Sequence, residues 1–321
     1  MAPVYGLHCS HEQIPPSRLL AHVREAEAAG FGAAMSSDHF SPWSERQGES
    51  GFSFAFLGAA LATTSLPWGM VCAPGQRYHP AIVAQAIATL TEMAPGRLWV
   101  ALGTGEASNE HITGDPWPDK RTRLARLGEC VEVMRALLAG EVVDHDGLVR
   151  VDRAKLWTLP PEPPALVGAA VSESTARWCG SWADGLVTIN QPREQLERVI
   201  AAFREGGGEG KPVNLQVHLS WAPGEEEALA IAHDQWRTNL FKPPLCWDLH
   251  TVEQFDEAAR FVRPEDLHDG VLISSDLGRH RTALAELAEL GFAQIQLHHV
   301  GRDLSPFIDA FGSSVLPELA A

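Results

Sequence analysis

Short apolar runs alternate with stretches of helical periodicity along almost the whole chain. The runs at 4–9, 33–37, 67–73, 97–103, 165–170, 185–189, 213–219 and 293–297 have the length of strands. Between them, the segments 16–29, 54–64, 81–93, 121–138, 173–182, 194–204 and 225–239 space their apolar residues three and four apart, the pattern of helices with one buried face. Strict alternation of strand and helix implies a parallel sheet. Eight strands favour a closed (β/α)8 TIM barrel, an α/β fold, over an open doubly wound sheet. Two segments interrupt the alternation: 140–164, Pro-rich at its end, and 241–271, which opens with Lys242-Pro243-Pro244. Both read as insertions near the C-terminal rim of a single barrel domain spanning 1–321.

Composition narrows the partners. The formal charge is −16, and the 25 lysines and arginines form no basic stripe, which argues against nucleic acid. No apolar stretch reaches the roughly 18 residues of a membrane helix. The start, Met1-Ala2-Pro3-Val4-Tyr5, runs into a strand without an apolar signal core. The five cysteines (Cys9, Cys72, Cys130, Cys179, Cys246) are odd in number and include no C-x-x-C pair, so a reducing cytoplasm is expected.

Barrel chemistry sits at the C-terminal ends of the strands. Here those ends carry His8, Ser37-Asp38-His39, Cys72-Ala73-Pro74, Gly103-Thr104-Gly105-Glu106, His218 and His298-His299. Asp38-His39 offers a general base beside a carboxylate, or simply a capped loop. Trp43 is placed to stack on a ligand or to shield an apolar patch. The glycines of 103–106 permit close backbone approach, although the third glycine of a dinucleotide fingerprint is missing. At 168–172, Ser172 caps the next helix and its backbone N–H groups can hold an anion. The histidines suggest a metal, but the first strand lacks a His-x-His pair, so no metal is expected. Alternation along a strand sends His298 and His299 to opposite faces, which leaves one of them for packing.

With these residues in view, the chain resembles the bacterial luciferase-like oxidoreductases, and among them the branch that includes the glucose-6-phosphate dehydrogenases dependent on the deazaflavin coenzyme F420. The resemblance rests on Ser37-Asp38-His39-Phe40-Ser41-Pro42-Trp43, on Arg77-Tyr78-His79-Pro80-Ala81 with Ala84-Gln85-Ala86, on Gly103-Thr104-Gly105-Glu106 with Asn109-Glu110, and on Ala183-Asp184-Gly185. It implies a redox enzyme acting on a small molecule. His39 would be the base that takes a substrate hydroxyl proton, Glu106 the acid beside the ring, and Trp43 a brace for developing charge. Asp38, Thr104, Gly105 and Asn109 would line the ring, with Ala170, Val171 and Ser172 near the cofactor phosphate. A bulge at Val71-Cys72 would hold a non-prolyl cis peptide behind the ring.

A homodimer is implied as well, and for an FMN monooxygenase a partner flavin reductase. Two departures shape the expectation. The cations that clamp a sugar phosphate in these relatives fall at Gln191-Pro192 and near Asp269 here, which disfavours a phosphorylated substrate. The Gly-Gly-Pro turn at the cofactor phosphate is replaced by Val171-Ser172-Glu173, where Glu173 would repel a long anionic tail. A sub-branch of such proteins is thought to have returned to FMN. FMN or coenzyme F420 is therefore the expected cofactor, used for hydride transfer with a small alcohol or carbonyl compound.

Overall fold

The computed structural model describes residues 2–319. Eight parallel strands close into a barrel: β1 Val4–Cys9, β2 Ala33–Ser37, β3 Trp68–Cys72, β4 Leu98–Leu102, β5 Ala165–Ala169, β6 Leu186–Ile189, β7 Val213–Ser220 and β8 Gln294–His299. Neighbours in sequence are neighbours in the sheet. β8 pairs with both β7 and β1, so no edge is left open. Eight helices form the outer ring: α1 Pro16–Ala28, α2 Ser53–Thr63, α3 Pro80–Met93, α4 Lys120–Leu138, α5 Glu173–Gly180, α6 Arg193–Phe203, α7 Leu277–Ala288 and α8 Ser305–Ser314.

The main core lies between strands and helices, where Leu7, Trp68, Val100, Leu215, Ile295 and Phe311 are fully buried. Inside the barrel the two halves differ. Met35, Ala101, Val167 and Val187 form an apolar half. On β7 and β8 the inward positions pair Asn214 with Gln294, Gln216 with Gln296, and His218 with His298, making a ladder of buried and half-buried polar side chains.

The two interruptions differ from expectation. The segment after α4 forms an antiparallel hairpin, Val143–Asp146 with Arg150–Ala154. It joins the end of a ring helix to the start of a strand, so it leaves the barrel at the end opposite the site. The hairpin then runs along α4, where His145 meets Glu129 at 3.0 Å, and Arg150 reaches His79 at the N-terminus of α3. The second insertion begins earlier than 241. The helix Glu225–Trp236, read from periodicity as the seventh ring helix, instead lies over the barrel mouth, where Trp236 meets the rings of His218 and His298 at 4.9 and 4.7 Å. The ring position belongs to α7, whose neighbour α6 reaches it through Arg193 to the Glu286 carbonyl at 3.0 Å. Periodicity marks a helix with a buried face, but not the surface that buries it.

Candidate active site

One cleft opens at the C-terminal end of the barrel, with an empty volume of about 1140 Å³ counted out to its mouth. Its walls include Asp38, His39, Val71, Cys72, Thr104, Gly105, Glu106, Asn109, Ala170 and Val171, residues from four strand ends. Ser172 stands just outside, at the cap of α5, and Trp43 stands behind His39.

His39 is held from three sides. Its Nδ1 lies 3.6 Å from Glu12 Oε1 and 3.4 Å from Asn109 Nδ2, and the Trp43 ring meets it edge-on at 4.3 Å. Glu12 is buried; its second oxygen accepts a hydrogen bond from Ser10 at 2.6 Å. Asn109 is oriented by two backbone groups, since its Oδ1 accepts the N–H groups of Phe40 and Ser41 at 2.8 and 3.2 Å. Trp43 packs on Trp236, and its loop is tied to the mouth insertion through Gln47 to the Gln235 carbonyl and Ser44 to Asp256.

Glu106 carries a different electrostatic load. Burial pushes its carboxyl above the usual carboxylate range, opposed by nearby His39 and the Trp43 indole. Its Oε2 is buried without a hydrogen-bond partner. The shift favours the neutral acid, a form that can donate a proton.

Below the ring wall, Arg77 joins two carboxylates. Its Nη2 lies 2.8 Å from Asp38 Oδ2, its Nε lies 3.6 Å from Glu110 Oε1, and its backbone N–H donates to Glu110 Oε2 at 2.7 Å. All three side chains are buried. Asp38 is thus a structural member of a charged network, with its Oδ1 unpartnered at the cleft wall. Gly105 adopts a φ of 80°, and a Cβ there would come within 2.9 Å of Glu110, so both conformation and space require glycine.

Val71 and Cys72 line the cleft, but the bond between them is trans. Among the described residues the only cis peptide is Pro243-Pro244. β3 instead keeps regular pairing to its end, with Cys72 opposite Leu102 and the Val71 carbonyl accepting the Asp38 N–H at 3.0 Å. A regular strand end needs no bulge. Glu173 is also displaced from its expected effect, because its carboxylate pairs with Arg198 at 3.0 Å.

The cleft has features suited to a planar ring with an anionic tail. Gly103 and Gly105 leave the β4 end without side chains, Glu106 Oε2 and Asp38 Oδ1 lack partners, and the Ser172 side chain makes no capping bond at the N-terminus of α5. A flavin or deazaflavin fits this donor set.

Sequence reading missed Glu12, three residues beyond the end of β1, and the wall made by Lys120, Arg123 and Trp247. It also missed the interior ladder, although Val213–Ser220 and Gln294–His299 carry its mark. Parallel strands buried on both faces are ordinarily apolar throughout, and these two alternate polar with apolar. The His298 and His299 division is as expected: His298 points inward, while His299 stacks on Phe307 of α8 at 5.0 Å.

Known proteins share this architecture. An F420-dependent glucose-6-phosphate dehydrogenase from Beutenbergia cavernae is 31% identical over 98% of this chain and 97% of its own. An F420-dependent hydroxymycolic acid dehydrogenase from Mycobacterium tuberculosis is 33% identical over 98% of this chain and 88% of its own. The solved structure of an F420-dependent secondary alcohol dehydrogenase in complex with an F420-acetone adduct superposes with a TM-score of 0.92 at 28% identity, covering 99% of both chains. A riboflavin lyase with modified FMN shares the fold at a TM-score of 0.77 and 17% identity, covering 100% of this chain and 92% of its own. The luciferase-like monooxygenase pattern matches residues 4–294, and the chain belongs to that family.

Proposed function

We propose that this protein is an oxidoreductase that transfers a hydride between coenzyme F420 and a small uncharged alcohol or its carbonyl partner. The observation that carries this reading is the convergence of His39, backed by buried Glu12, and of Glu106, whose carboxyl burial raises above its ordinary range, on one cleft. FMN suits the same ring wall. F420 is preferred because relatives spanning nearly the whole chain are named for it.

When bound, the deazaflavin would supply the acceptor for the hydride that leaves the carbon bearing the substrate hydroxyl. His39 takes the hydroxyl proton, and the Glu12 carboxylate 3.6 Å from its Nδ1 stabilises the resulting imidazolium. Trp43 holds the imidazole edge-on and keeps water from that side. Glu106 keeps a proton on its carboxyl, available to balance the charge that hydride arrival brings to the cleft. An uncharged substrate is supported by what backs Gln216 on the cleft wall: its amide meets His218 and His298, and burial holds both imidazoles neutral, so neither supplies a cation there.

Binding titrations of F420 and FMN, followed by an alcohol screen, test the reading. Tight F420 binding with alcohol-dependent reduction of the coenzyme is expected. FMN binding alone, with substrate loss coupled to oxygen uptake and a reductase requirement, would replace it with a monooxygenase. Glu106→Gln checks the acid. Because the Glu106 carboxyl titrates above its ordinary value, wild-type alcohol oxidation falls on the alkaline side as that proton is lost. The variant is expected to be about 100-fold slower and to lack that limb in a kcat/KM profile against pH. An unchanged limb would remove Glu106 from the proton path.

A further inference from the structure

The floor of the cleft carries one amide whose orientation is fixed from behind, that of Gln216 on β7. We propose that Gln216 Oε1 accepts a hydrogen bond from a second hydroxyl of the substrate, so that this protein acts on neutral diols and their hydroxy-carbonyl partners. The inference rests on the alcohol reading above.

The orientation starts at two backbone carbonyls, groups that can only accept. Gln235 donates through Nε2 to the Arg46 carbonyl at 3.2 Å, which leaves its Oε1 for Gln13. Gln13 donates through Nε2 to that oxygen at 3.3 Å and to the Val300 carbonyl. With both N–H bonds used, Gln13 faces His298 Nε2 with its Oε1, an acceptor, at 3.2 Å. The His298 proton therefore sits on Nε2, and Nδ1 of the neutral ring accepts. That Nδ1 lies 3.1 Å from Gln216 Nε2, and His218 Nε2 lies 3.1 Å from the same amide nitrogen. Gln216 thus directs both of its N–H bonds to imidazoles behind the wall. Reversing the amide would press Oε1 against the His298 Nδ1 lone pair.

Gln216 Oε1 is the atom left over. Among the described residues no group donates to it, and half-buried Gln216 lines the same cleft as His39. The two stand at one end of that cleft, since the rings of Trp43 and Trp236 link His39 to His298 at centroid distances of 4.3, 5.9 and 4.7 Å. The other polar side chains of the floor, Ser37 and Thr188, are hydroxyls that rotate between donor and acceptor, and Thr188 Oγ1 already accepts from Gln191 at 3.4 Å. A fixed amide oxygen can only accept. It repels the oxygens of a carboxylate or phosphate and takes a hydroxyl. A bound monohydric alcohol would shield it from water without bonding it, a cost that a diol avoids.

F420 reduction by the purified protein with alcohols matched in shape tests the assignment. Propylene glycol is compared with sec-butanol, which has a methyl group in place of the second hydroxyl, and the next longer diols with their own methyl isosteres. In the wild type at least one diol is expected to exceed its isostere about 10-fold in kcat/KM. Its methyl ether, which keeps the oxygen but cannot donate, is expected to lose that preference. Gln216→Met keeps the length and removes the acceptor, and should bring the diol-to-isostere ratio down to about 1, a ratio in which any general loss of activity cancels. A wild type that oxidises every pair alike overturns the second-hydroxyl inference and leaves the oxidoreductase reading standing. Retention of the wild-type ratio in Gln216→Met overturns the role of Gln216, and weaker F420 binding with the ratio intact assigns the acceptor to the coenzyme instead. Should the variant fail to fold by circular dichroism, the methyl ether in the wild type decides alone. If no alcohol reduces F420, the function reading falls and the inference with it.

Discussion

Replacing His39 by alanine is expected to lower alcohol turnover about 1,000-fold while the dissociation constant for the coenzyme stays within about twofold, a loss of roughly 4 kcal/mol of transition-state stabilisation. The ring-facing groups, Gly103 to Glu106 and the α5 terminus, are placed by β4 and β5 and do not depend on the imidazole. Asn109 remains anchored by the Phe40 and Ser41 N–H groups after its contact with His39 is gone. What disappears is the proton acceptor, the imidazole that Glu12 faces at 3.6 Å. Stopped-flow reduction of the bound coenzyme reads the step directly. Turnover surviving at near wild-type rate, with coenzyme binding unchanged, would rule out His39 as the base.

The second large effect concerns acid stability. Burial lowers His218 and His299 from an ordinary 6.5 to about 4, and pushes His8 and His298 down as well. The surroundings give the cause. His218 and His298 share the amide nitrogen of Gln216 at 3.1 Å, and His298 Nε2 faces Gln13 Oε1 at 3.2 Å, so each bond suits a neutral ring. His299 lies flat on Phe307.

Because these folded-state values lie below the unfolded one, the unfolded chain takes up protons that the folded chain refuses. Stability is therefore full above about pH 6.5 and falls as pH drops toward 4. The loss is roughly 2 kcal/mol by about pH 5 for each of His218 and His299, and on the order of 3 kcal/mol each at the limit. Urea unfolding between pH 7 and pH 4.5 should show the midpoint falling steadily, and His299→Gln should flatten the slope. A midpoint constant from pH 7 to pH 5 would mean that these rings are not buried neutral in solution.

Much of this architecture is written locally. The strand bounds and the ends that carry His39, Glu106 and His298 follow from periodicity, because burial on one face imposes a repeat that short windows record. The glycines at 103 and 105 mark close approach for the same reason: a missing side chain is a local fact. Of the residues to which the resemblance gave a ring wall, Asp38, Thr104, Gly105 and Asn109 line one cleft, and the bond at Val71-Cys72 is trans.

What the sequence by itself determined is the order of strands and helices and the residue types offered at each strand end, since both depend on interactions within a few residues. Tertiary structure alone decided which of those residues meet. Asn109 reaches His39 across 70 positions, and Gln47 reaches the Gln235 carbonyl across 188. It also decided that 225–236 caps the mouth rather than joining the ring, and that Glu12 turns to His39. Barrel closure brings distant strand ends onto one rim, and no local pattern of apolar and polar residues encodes the distances that closure creates.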